Sequence, residues 1–150
     1  MSTTALSILD DLIETLKDGE EGFRTAAQDV KSPELRALFT GISEERARFA
    51  AELRQLAREH GAPEPGESSS IAGTLHRGWM HLKAAITGKD DHAILAECER
   101  GEDSAIAAFK KALEGHNLPP SARITVEAQY KAVRTAHDRV KELRDKTAKE

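Results

Sequence analysis

Glu20, Glu45, Glu102 and His137 are the residues of this chain best placed to do chemistry. Three carboxylates and one imidazole can hold a divalent metal, and the nitrogen donor favours Fe, Mn or Zn over magnesium. Glu45, Glu102 and His137 fall on inward seams near the middle of long helical patterns, and Glu20 lies beside the first seam. Gly19 and Glu45 are equidistant from Ser32, as Glu102 and His137 are from Pro119-Pro120. In antiparallel hairpins that symmetry sets residues at equal depth. Gly19-Glu20-Glu21 echoes Gly101-Glu102-Asp103, which favours Glu20 over Glu14 or Glu21. Buried charge is costly unless it is paired, hydrogen-bonded or metal-bound. Two arrangements satisfy that demand. One is a four-ligand metal site. The other is an ion-pair network of Glu45, Glu102 and His137 with Arg46, Arg48 or Arg134, which fixes helix register and binds nothing.

Five helical stretches must position these groups. Ala5, Leu9, Leu12, Leu16, Gly19, Phe23, Ala26 and Val30 recur at spacings of three and four, predicting a helix over about Thr3 to Asp29. Ser32-Pro33-Glu34 starts the second, with a capping hydroxyl, a first-turn proline and a favourable charge. It continues to about His60 with Leu35, Leu38, Ile42, Glu45, Phe49, Glu52 and Leu56 inward, Glu52 at a wetter depth beside a basic partner. Gly61 to Ser70, GAPEPGESSS, places a linker at about 61–69. A shorter helix follows over about Ser70 to Thr87, with Ile71, Leu75, Trp79, Leu82 and Ile86 inward. The last two span about Asp91 to Glu114 and, after a turn over Gly115 to Ser121 that contains Pro119-Pro120, the remainder of the chain. Their seams are Leu95, Cys98, Glu102, Ala105, Phe109, Ala112, and Val126, Tyr130, Val133, His137, Val140, Arg144. Two tight hairpins are thus joined by a long connection. The second helix covers roughly 40 Å at ~1.5 Å per residue, and linker plus short helix can return the chain over it. That is the one-crossover topology of ferritin-like bundles: an all-α, ferritin-like four-helix bundle whose crossover carries an extra short helix, in one domain over 1–150.

Composition supports helices and excludes several functions. Of 150 residues, 32% are charged, 39% hydrophobic and only 4% aromatic, which suits amphipathic helices better than a sheet. A net charge of −4 supplies no positive field for phosphates, and basic positions lack interleaved aromatics for stacking bases. Nucleic acid is therefore not an expected partner. Neither is a membrane: apolar runs are only a few residues long. No basic segment followed by an apolar run opens the chain, so a cytoplasmic location is the default. Cys98 is the only cysteine. It can form no internal disulfide, and its seam position predicts a small buried hydrophobe. No nucleophile elbow, Cys–His pairing or phosphate loop is present, so no catalytic residue is assigned.

On the crossover, His76-Arg77-Gly78-Trp79 stands out. Trp79 reads as packing or as the surface of a homodimer, and His76 as a surface or interface residue, or one able to reach over and complete the polar cluster. His60, His81, His92 and His116 fall on helix ends or outer faces. The runs DGEEGFRTAAQDV (Asp18 to Val30), IAGTLHRGWMHLKAAITG (Ile71 to Gly88) and CERGEDSAIAAFKKAL (Cys98 to Leu113) resemble a bacterial family of four-helix-bundle proteins of unknown function, grouped within the ferritin-like superfamily. The resemblance covers nearly the whole chain, and HRGW and ERGED are its most specific parts. It implies a ferritin-like fold and no particular reaction. The chain departs from di-iron proteins, which take a Glu from each of two helices and a Glu-x-x-His pair from each of the others. Three residues after Glu45 stands Arg48, and three before His137 stands Arg134. A single divalent ion is the most this set could bind. The rival is a non-catalytic, structural or stress-associated homodimerising module.

Overall fold

The computed structural model describes residues 2–62, 78–79, 81–88 and 90–148. Its elements are α1 (Thr3–Asp29), α2 (Pro33–Glu59), α3 (Leu82–Thr87), α4 (Asp91–Glu114) and α5 (Pro120–Ala148). Most of the expected linker, and the crossover positions Ile71, Leu75 and His76, lie outside the described residues. Among those described there is no strand, and no helix is long and apolar enough to cross a membrane.

Local chemistry sets the helix starts. The Ser2 and Ser32 hydroxyls accept from the Ala5 and Leu35 amides, and the Asp90 carboxylate accepts from the His92 amide at 3.0 Å. Each satisfies a donor that the first helical turn leaves without a partner. The next carboxylate reaches across the fold. Asp91 accepts from the Lys31 and Ser32 amides at 2.8 and 3.1 Å, pinning the α1–α2 turn to the start of α4. Hence α2 and α4 begin at the same end and run parallel, which forces the chain to cross the length of the bundle between them. Helix α5 returns antiparallel to α4. Arg123 near its start donates to the Leu113 and Gly115 carbonyls, and near its end Thr147 meets His92 at 2.8 Å. The all-α one-crossover bundle expected from the sequence is therefore present, with α3 as its extra helix.

The core consists of two apolar clusters stacked along the bundle. One is built on Leu9, Leu12, Ile13, Leu16, Leu53, Phe109, Val126 and Val133. The other holds Phe23, Phe39, Ile42, Trp79, Ile94, Leu95, Cys98 and Val140. Burying each large side chain contributes ~1.5–3 kcal/mol, so these clusters drive folding. Gly19, Arg46 and Glu102 occupy the gap between the clusters on α1, α2 and α4.

The seams of α1 and α4 are buried as the sequence predicts. Those of α2 and α5 are rotated. On α2 the buried stripe is Leu35, Phe39, Ile42, Arg46, Ala50, Leu53 and Ala57, leaving Glu45, Phe49 and Leu56 half-buried and Glu52 exposed. On α5 it is Ala122, Val126, Gln129, Val133, Ala136 and Val140, with Tyr130 and His137 beside it. The small residues Ala50, Ala57, Ala122 and Ala136 take inward positions there, while the larger side chains next to them stay at the margin.

Candidate functional site

At mid-bundle two side chains meet that are the only fully buried opposite charges bonded to each other among the described residues. Arg46 Nη1 and Nη2 donate to Glu102 Oε1 and Oε2, both at 2.6 Å. This is the fork-to-fork geometry in which a guanidinium fits a carboxylate best. The guanidinium also rests over the Phe23 ring, 5.6 Å from its centroid. Gly19 makes the room: a Cβ there would lie 3.1 Å from Arg46 Nη1. Together these residues form one polar layer between the two apolar clusters.

The sequence-derived metal set does not assemble. Glu102 is in the interior, but both its oxygens are taken by Arg46. Glu45 is half-buried, one residue away from the position that points inward. Glu20 is half-buried near Arg24, at 3.9 Å, and its backbone carbonyl accepts from the Ser43 hydroxyl at 2.8 Å. His137 turns to the α4–α5 surface, where Nε2 meets Asp103 at 2.7 Å and Nδ1 meets Asp138 at 3.1 Å. Among the described residues no group of three or more His, Cys, Asp or Glu side chains could hold a metal ion. The interior layer also has the wrong polarity for a cation. Its guanidinium already neutralises Glu102, and the atom left without a partner among the described residues, Arg46 Nε, is a donor. These residues do not fit a divalent ion. Of the network alternative, the Arg46–Glu102 pair forms, while Arg134 bonds the Tyr130 hydroxyl at 3.1 Å.

A second built arrangement holds the crossover. The Trp79 ring, 7% exposed, lies on bare backbone: a Cβ on Gly22 would be 2.5 Å from it and one on Gly101 only 2.2 Å. Gly78 has φ +76, and a Cβ there would meet Ser104 at 2.7 Å, so the turn that aims the indole requires glycine twice over. Trp79 packs edge-on to Phe23 at 5.1 Å between centroids. One turn further, buried Glu97 accepts from the His81 amide, which starts α3, and from Arg100 at 3.2 Å. Trp79 is thus spent on packing inside its own chain and is not the exposed dimer surface that its apolar stripe suggests. Sequence reasoning missed Gly22, Gly101 and Glu97 as partners of the crossover. The signal was present as glycines at helical positions in GEEG and ERGED, where glycine costs roughly 0.5–1 kcal/mol relative to alanine and so needs a reason.

The outer α4–α5 face carries a charge ladder, Glu99 to Arg144 and Asp103 to His137. Burial works against a charged His137, but its bonds to Asp138 and Asp103 outweigh that and hold its pKa above the usual 6.5. Cys98 is the reverse case. Burial, then the neighbouring Glu102 and Glu97, pushes its thiol well above the ordinary range, so it stays protonated and inert. Glu52, expected beside a basic partner, accepts instead from Gln129 Nε2 at 3.0 Å.

A family model described as a domain of unknown function, DUF2383, matches residues 4–115, which takes in the polar layer, the crossover and all of α4. No match is found among curated proteins.

Proposed function

Since the chain belongs to the DUF2383 family of domains of unknown function, its fold brings no reaction with it, and we propose that it is a non-catalytic helical module whose interior charge serves structure. The observation that carries this reading is the bidentate Arg46–Glu102 pair at 2.6 Å. It occupies the depth at which ferritin-like bundles place metal ligands, and it consumes the carboxylate such a site needs. A polar layer between two apolar clusters discriminates among helix registers: sliding α2 along α4 would push an unpaired guanidinium into one cluster or the other. The cost of two desolvated charges is thereby exchanged for a single alignment of the parallel pair that the crossover brings together. A structural module of this kind displays its outer faces for assembly. A homodimer, the partner expected from the sequence, would form through faces other than the Trp79 ring. A cytoplasmic location is part of this proposal, supported by a lone buried thiol that needs no oxidising compartment.

Metal analysis after purification without chelator, and again after incubation with Fe, Mn and Zn, tests the reading. The expected result is a sub-stoichiometric metal content that Glu102→Gln and His137→Gln leave unchanged. One tightly held ion per chain, lost in Glu102→Gln, would replace the structural reading with the metal one.

A further inference from the structure

The residues around Trp79 amount to a receptor. Two helices, α1 and α4, each present bare backbone at the same level, at Gly22 and Gly101, and a planar ring lies against both. Phe23 meets that ring edge-on at 76°, the orientation in which aromatic quadrupoles attract. The slot is also reachable: a cleft of ≈ 130 Å³ opens beside the ring among Asp18, Glu21, Thr25 and Leu82. Beside the ring, none of α3 is fully buried: Leu82, Ala85 and Ile86 pack half-buried against the same cluster, and the His81 amide donates to Glu97.

We propose that the Gly22–Gly101 slot is a binding site for a planar aromatic ring of the indole class, filled in the native chain by its own Trp79. The crossover is then an intramolecular ligand. Tethering gives such a ligand an effective concentration on the order of millimolar, so free indole below that level leaves it in place in the intact chain. Removing the side chain while keeping the backbone leaves an apolar, flat-walled site of matching shape, and such sites take up small apolar molecules.

The test uses the full chain with Trp79→Ala, titrated with indole and followed by thermal melting of the helical circular-dichroism signal. Trp79→Ala should melt below the parent, and indole should raise its Tm saturably while leaving the parent unmoved. Trp79→Ala combined with Gly101→Ala, whose new methyl stands in the slot, should lose the response. If Trp79→Ala is unfolded at the outset, recovery of helicity on adding indole is the readout, and no recovery overturns the proposal. A Tm unmoved by indole overturns it too, as does an equal rise in all three proteins. Cyclohexanol, similar in size but not flat, should be markedly weaker; an effect as large as indole's would show an unspecific void.

Discussion

Glu102 and Asp103 are neighbours in sequence that point away from each other across α4: Glu102 takes Arg46 of α2 in the interior, and Asp103 takes His137 of α5 at the surface. Consecutive helical side chains diverge by about 100°, so one dipeptide ties α4 to two helices at a single level. The inner tie is dry and bidentate, while the outer one is wet and depends on protonation.

The glycines should respond to a methyl group in a graded way. Gly101→Ala and Gly22→Ala place Cβ inside the Trp79 ring, and each should cost about 1–3 kcal/mol despite alanine's better helix propensity. Among the described residues Gly41 has nothing within 4 Å of its added Cβ, so Gly41→Ala should stabilise by roughly 0.5–1 kcal/mol. Urea unfolding measures all three, and Trp79 emission should shift to the red only in the first two. Equal effects at Gly41 and Gly101 would contradict the slot geometry.

How far the sequence could be read depended on which side chains flank the seam. On α1 and α4 the large apolar residues are themselves the seam, so Leu9 to Phe23 and Leu95 to Phe109 are found where the periodicity puts them. On α2 and α5 the stripe is finished by small residues, Ala50, Ala57, Ala122 and Ala136, and a pattern weighted toward bulk drifts to Phe49, Leu56 and Tyr130. That drift is one residue, enough to exchange Glu45 for Arg46 and to turn His137 outward. The depth argument survived it. Gly19 does face α2 at the level predicted, meeting Arg46, and His137 does reach α4 at the level of Glu102, meeting Asp103. Axial position follows from counting residues to a turn, whereas azimuth depends on packing that periodicity alone does not resolve. The crossover's seat was missed as well, because its trace in the sequence is only the glycines at helical positions 22 and 101, which name no partner.

His137 should make stability depend on pH with a definite sign. Its native pKa lies above the usual 6.5 because Asp138 and Asp103 favour the imidazolium. Stabilisation from this group is therefore fully present below about pH 6.5 and is lost as pH rises through the raised native value. Urea midpoints of the parent minus those of His137→Gln, taken from pH 5 to pH 9, should fall with increasing pH. Asp103→Asn should flatten the curve. A difference that grows with pH would refute the assignment.

Cys98 should be silent in the native state. Alkylation by iodoacetamide at pH 8 should be slower than that of the unfolded chain by at least two orders of magnitude, because the thiol is both buried and held protonated. Modification at the rate of a free thiol, with helicity intact, would show that the cluster of Phe23, Ile94 and Cys98 opens readily.

The register lock itself is tested most directly by a double-mutant cycle on Arg46 and Glu102 in urea unfolding. Arg46→Met and Glu102→Leu should each cost about 3–5 kcal/mol by stranding a buried charge, while the double variant should lie within about 1–2 kcal/mol of the parent. The coupling energy would then exceed either single loss and approach their sum. Single effects that simply add, with no coupling beyond about 0.5 kcal/mol, would mean that the two side chains are not partners in solution and that Glu102 answers to something else.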